Sequence, residues 1–224
     1  MFAFVTGRYL TLCDIYFKII PMEMTMPLRQ RKKAKTRQAL IEAAMVLFDR
    51  QGYEATTVGE IAAAADVSRR TFFRYFATKA LVLFPHQDLH LDHFRELLRD
   101  QRPGEAPFDR LRRACMEMAR LYMEGREEHL RQQRIIRNSP ALIAKGDQFD
   151  EDWRALIKEA LLLGTAPNKR TERHAYYLAA AVMGVIGAVM REWYDGDCRA
   201  DLAAMGDEGL ALLEKGVNGW IEKA

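Results

Sequence analysis

Apolar residues recur at three- and four-residue spacing along almost the whole chain, and the breaks fall at Gly and Pro. No stretch shows the two-residue alternation of a half-buried strand, so the pattern predicts an all-α fold. The first clear helix runs from about Arg31 to Arg50, with Leu40, Ala44, Leu47 and Phe48 on one stripe and Gly52 as its stop. A short second helix covers about Val58 to Ala64, with Ile61 as its anchor. Thr57 and Glu60 form a capping box at its start. Asp66 stands at the turn, and Ser68 caps a third helix. Longer segments follow over about Ala80–Asp100 (bent or restarted near Pro85), Phe108–Glu124, Glu127–Asn138, Ala141–Leu163 (with a possible break at Gly146), Arg170–Tyr194 and Ala200–Glu222.

Two of these segments carry patterns that change the picture. From Ala175 to Met190 the chain has no charge for 16 residues. That is short of the roughly 18–20 that cross a bilayer. A helix apolar all round should be buried all round, within one chain or across a symmetric dimer. Ala180, Gly184 and Ala188 form a smooth stripe along it. The last segment is amphipathic through Leu202, Leu210, Leu213, Val217 and Trp220.

The second pattern is "VSRRTFFRYF", Val67–Phe76, which holds three arginines and four aromatic rings. Phe72 and Phe76 share a face, and with Ile61, Ala62 and Val67 they complete a small core. Arg69, Arg70, Thr71, Phe73, Arg74 and Tyr75 are left outside it. Two short helices joined by a tight turn make a helix-turn-helix. Its second helix can place arginine forks on guanine edges. Thr71 suits a phosphate or a thymine methyl, and Phe73 and Tyr75 suit the sugar–phosphate backbone.

Charge distribution agrees. Net charge is only +3, but Arg29–Lys79 holds 11 Lys/Arg against 5 Asp/Glu, and the chain from Ala80 onward holds 21 against 24. Such asymmetry points to a nucleic-acid or membrane surface. "RQRKKAKTR", Arg29–Arg37, has six basic residues in nine. It is either a solvated tail or a contact with phosphates or a neighbouring minor groove.

Composition, 49% hydrophobic and 29% charged, is that of a soluble globular protein. Cys13, Cys115 and Cys198 show no disulfide or zinc spacing, which suits a reducing cytoplasm. Residues 1–27 read as an N-terminal extension: a start assigned upstream of Met22, Met24 or Met26, or a genuine arm. They lack the features of a signal peptide or a span.

"ATTVGEIAAAADVSRRTFFRYFATKALVL", Ala55–Leu83, resembles the DNA-binding domain of tetracycline-repressor-type (TetR) regulators. The resemblance covers about Lys33–Leu83 and departs at Asp66, where the family usually has Gly. It implies DNA contacts from Thr57, Arg69, Arg70, Thr71, Phe73, Tyr75 and Lys79. Ser68 and Arg74 join them from the reading of the helix itself. It also implies about nine helices, dimerisation through the last two and a C-terminal small-molecule site that controls repression. The expected organisation is 28–79 for DNA reading and 80–224 for effector binding and dimerisation. Expected partners are a palindromic double-stranded operator, a small-molecule effector and a second copy, with no membrane and no cofactor.

The effector site is less specified. Met116, Tyr122, Met123, Trp153, Tyr177 and Met183 are candidate lining residues, as are Met118, Tyr176 and Trp193, against the alternative of ordinary core packing. "RQQRIIRNSPALIAK" resembles the branch that includes mycofactocin-associated regulators, which implies a long-chain acyl-CoA ligand. Arg131, Arg134 and Arg137 then either meet CoA phosphates or form a solvated face. His86, His90 and His93 at i, i+4, i+7 are either a metal half-site or a polar surface. No nucleophile elbow or phosphate loop is present, so no enzyme is predicted. The rival readings are an enzyme built on the C-terminal part and a DNA-binding protein without an effector.

Overall fold

The computed structural model describes residues 27–164, 166 and 168–221, with side chains described as far as residue 216. The expected N-terminal extension up to residue 26, Cys13, and the side chains of Val217 and Trp220 lie outside the described residues. Those that are described form nine α-helices and no strand: α1 Leu28–Gln51, α2 Val58–Ala64, α3 Arg69–Tyr75, α4 Gln87–Arg99, α5 Pro107–Glu124, α6 Arg126–Arg137, α7 Pro140–Leu162, α8 Lys169–Asp195 and α9 Leu202–Ile221. A 3-10 turn at Ala80–Leu83 precedes α4. The all-α expectation holds. The segment expected over Ala80–Asp100, bent or restarted near Pro85, is this turn and α4, which starts anew beyond Pro85. Gly146 does not break α7.

Two compact units emerge. The first runs through Leu83 and takes in Glu124–Ile135; the second holds Phe84–Met123 and the chain from Ile136. In the first, Leu40, Ile41, Ala44, Met45 and Phe48 of α1 form a buried stripe with Ile61, Ala62, Phe72 and Phe76. Arg131 of α6 joins this unit through ion pairs with Asp49 at 2.6 Å and Glu42 at 3.5 Å, both on α1. The basic segment Arg29–Arg37 is the start of α1 itself, not a tail.

In the second unit, α4 and α7 pack through Phe94 on Trp153, ring centres 5.0 Å apart, and Phe149 meets Phe84 at the same distance. Helix α8 starts where Asn168 accepts the amides of Arg170 and Thr171. It packs between α7 and α9. Gly209 lets α9 come close: a Cβ there would lie 2.7 Å from Val185 Cγ1. Helix α9 kinks at Gly216, whose φ is 68°.

One expectation fails for a single chain. Helix α8 is not buried all round. Ala175, Ala179 and Val182 are covered, but Tyr176, Tyr177, Leu178, Ala180, Gly184 and Ala188 are exposed. By length and composition α8 passes for a membrane span. The reason for the exposure is geometric: α7 and α9 cover one side of a cylinder and leave the small-residue stripe on the other.

Candidate nucleic-acid interface

The turn between α2 and α3 is built by local chemistry. Thr57 Oγ1 accepts the Glu60 amide at 3.2 Å, and the Thr57 amide and hydroxyl both donate to Glu60 Oε2 at 2.8 Å. The amide bond from Thr57, followed by the Thr57 hydroxyl and the Gln51 amide, holds the Glu60 carboxyl below its ordinary range. At the other end of α2, Asp66 adopts φ 53° and donates its amide to Ala63, while Val67 reaches back to Ala62 at 2.9 Å. This closes the helix with a left-handed residue, a position that favours Gly and tolerates Asp. Ser68 Oγ then accepts the Thr71 amide at 3.1 Å and lies 3.0 Å from the Thr71 hydroxyl.

These caps set the phase of α3. Phe72 and Phe76 turn inward, ring centres 5.8 Å apart. Arg37 of α1 lies over the Phe76 ring at 5.0 Å. Arg69, Arg70 and Arg74 are exposed, Thr71 and Tyr75 are half-buried, and Phe73 is 51% exposed although its ring edge rests on Phe72. The structure therefore brings Ser68, Arg69, Arg70, Phe73 and Arg74 to one outward surface.

Thr57 and Lys79 are placed differently. The Thr57 hydroxyl is engaged in the capping box. Lys79 Nζ donates to the carbonyls of Tyr53 at 2.6 Å and Thr56 at 2.8 Å and lies 4.0 Å from the Tyr53 ring centre. Burial lowers its pKa, while Glu54 and Glu60 pull the other way. Sequence reasoning missed this bracing role, because the partners lie 26 and 23 residues away and carry no motif.

The effector candidates fall into two groups. Tyr122 packs at a tilt against His90, ring centres 5.4 Å apart, and Trp153 against Phe94, so both rest on neighbouring turns of α4. Burial, and secondarily Asp150, push Tyr122 up to about 12. Met116 and Met123 instead face α9: Met116 Cε lies 3.0 Å from a Cβ built on Gly206, and Met123 Sδ accepts the Leu202 amide at 3.2 Å. Met183 is half-buried on α8. Tyr177, 60% exposed on the outward stripe of α8, does not line an interior of this chain. Arg134 is exposed on α6. Of the arginines read as either a CoA-phosphate set or a solvated face, Arg131 pairs with Asp49 and Glu42, and Arg137 with Asp195 at 2.7 Å. Carboxylates on two different helices thus divide them.

The three histidines do not form a metal set. Among the described residues no group of three His, Cys, Asp or Glu side chains comes together to hold an ion. His86 and His90 are buried, with ring centres 6.3 Å apart. Desolvation, reinforced by His93, drops His90 to about 4.

An all-helical chain with an outward arginine-bearing helix on a helix-turn-helix defines a DNA-binding regulator. Residues 40–84 match the tetR family of bacterial regulatory proteins, and residues 105–218 match the MftR C-terminal domain. The chain belongs to the TetR family of transcriptional regulators.

It is 31% identical over 173 residues to the HTH-type transcriptional regulator TcmR of Streptomyces glaucescens, covering 75% of this chain and 76% of that one. It is 25% identical over 184 residues to MftR of Mycobacterium tuberculosis, covering 82% and 87%. Among solved structures it is similar to Thermus thermophilus FadR, a TetR family repressor in complex with lauroyl-CoA (28% identity, 81% and 94% covered, TM-score 0.54). It shares its fold with NalD, the secondary repressor of an efflux pump in Pseudomonas aeruginosa (17% identity, 83% and 97% covered, TM-score 0.58).

Proposed function

We propose that this chain is a cytoplasmic repressor that reads a palindromic operator as a homodimer and leaves it when a lipophilic effector binds. The observation that carries the reading is α3: Phe72 and Phe76 dock it while Arg69, Arg70, Phe73 and Arg74 face outward. Ser68, Thr71 and Tyr75 flank that surface. Residues 28–79 serve as the reading head and 80–224 as the effector and dimer part.

The unusual start of α1 supports a polyanion partner. Arg31, Lys32 and Lys33 stand exposed at the positive end of the helix dipole, with no acidic residue in the first turn and no side-chain cap. Phosphates relieve that repulsion. The exposed stripe Tyr177, Ala180, Gly184 and Ala188, with Leu212 on α9 46% exposed, supports a second copy as its cover. The lauroyl-CoA bound by the FadR relative supports an acyl-CoA as effector class.

The test is fluorescence anisotropy on DNA upstream of the chain's own gene, with an Arg69→Ala/Arg70→Ala double variant alongside. Tight, salt-sensitive binding lost in the variant is expected, followed by release on adding lauroyl-CoA. Equal weak binding by both proteins sinks the autoregulated-repressor reading.

A further inference from the structure

Among the described residues, Arg110 is the one Asp, Glu, Lys or Arg that is buried, at 4% exposure. It occupies the inward stripe of α5 at i, with Ala114, Met118 and Leu121 at i+4, i+8 and i+11, all buried and apolar. An aliphatic residue is what that position calls for. A guanidinium there brings five N–H donors and a permanent charge.

Very little answers it. Nη2 donates to the Ala160 carbonyl at 3.4 Å, and Nε has no partner. No carboxylate of the described residues pairs with it. Its neighbours on the same helix are supplied: Arg112 has Asp207 at 2.6 Å and Glu214 at 3.5 Å, and Arg113 has Glu105 at 2.8 Å and Asp100 at 3.2 Å. Capping the end of α7 explains one bond of the five. The position of Arg110 in the first turn of α5 gives the charge no help, because the helix dipole is positive there. A buried charge without a counter-ion is costly, and proteins keep one where something else supplies the opposite charge.

We propose that Arg110 anchors the carboxylate of an amphipathic organic acid, with the acid's apolar body against the core of the second unit. The inference rests on the reading of residues 80–224 as an effector part. One guanidinium matches one carboxylate in charge and in its two-pronged geometry. A phosphate dianion needs a second cation. His90, buried on α4 of the same unit, stays neutral at physiological pH. An acyl-CoA offers no carboxylate at its acyl end, so a free acid is the class that fits.

Calorimetry on the full-length protein separates the cases, with dodecanoate, dodecanol and lauroyl-CoA as probes and Arg110→Gln and Arg110→Lys beside the wild type. Wild type should bind dodecanoate on the order of tenfold or more tighter than dodecanol. Arg110→Gln should erase that preference while keeping dodecanol affinity, helical circular dichroism and operator binding. Arg110→Lys should keep part of it. Failure of wild type to bind dodecanoate, equal binding of acid and alcohol, or an unchanged preference in Arg110→Gln overturns the proposal. The lauroyl-CoA arm reports on the acyl-CoA reading separately, through release of DNA.

If Arg110→Gln does not fold, wild type bound to dodecanoate carrying carbon-13 at its carboxyl decides. The carboxyl signal should stay ionised to lower pH when bound than when free. Protonation at the same or higher pH overturns the assignment.

Discussion

The ammonium of Lys79 sits 2.6 Å from the carbonyl oxygen of Tyr53 and 4.0 Å from the centre of the same residue's ring. With its second bond, to Thr56, it ties the loop after α1 to the chain that leaves α3. Replacing Lys79 with Met removes both charge-assisted bonds and should lower unfolding stability by about 2 kcal/mol in urea denaturation. If bracing is its whole role, the salt dependence of DNA binding keeps its slope. If it also meets a phosphate, the slope drops by about one.

Asp66 holds φ 53° where the chain turns between α2 and α3. Glycine reaches that conformation without steric cost. Asp66→Gly should therefore raise stability by about 0.5–1 kcal/mol, read as a higher urea midpoint with unchanged cooperativity. A neutral or negative result would mean that the aspartate side chain contributes locally as much as its backbone strain removes.

At Gly209 α9 lies tight against α8. Any side chain there meets Val185 Cγ1 at 2.7 Å and Val189 Cγ2 at 3.3 Å. Gly209→Ala should destabilise by about 1–3 kcal/mol through overpacking. It should also weaken self-association measured by sedimentation, since it shifts the two helices offered to a second copy. An unperturbed melting temperature would show that α8 and α9 slide apart freely.

His90 links pH to stability. Its folded pKa falls from 6.5 to about 4, mainly by burial. Between those values the unfolded chain binds a proton that the folded chain does not. Stability therefore drops as pH falls from 6.5 towards 4, by on the order of 3 kcal/mol for this group. His90→Gln should flatten that part of the pH profile, measured by chemical denaturation across the interval. A profile as steep as wild type would assign the effect to other groups.

The reading head was nearly all legible in the sequence, because it is built from contacts a few residues apart. The Thr57–Glu60 box, the Ser68 cap and the Phe72/Phe76 pair are local, so spacing alone places them. Near Pro85 the sequence left a bend or a restart open, and the chain restarts: a 3-10 turn at Ala80–Leu83 precedes α4 at Gln87. The carboxylate partners of Arg131 and Arg137 on α6, namely Asp49, Glu42 and Asp195, were not legible, because they lie far away in the sequence on other helices. Helix α8 was apolar enough to suggest complete burial, yet which side stays open depends on where α7 and α9 pack. Arg110 did carry a signal, a charge interrupting an apolar stripe, though the adjacent Arg112 and Arg113 disguise it as part of a charged run.

Because α1 is one unbroken helix from Leu28 to Gln51, its cations and its buried stripe are geared together. Each residue turns the helix by about 100°. Inserting a single alanine between Lys35 and Leu40 would leave every charge untouched, yet swing Arg29 to Lys35 about a quarter of the way around the axis. An insertion that keeps both faces in place must therefore come close to a whole number of turns, and the angle at which this helix meets its surroundings is written in residue count rather than in residue type.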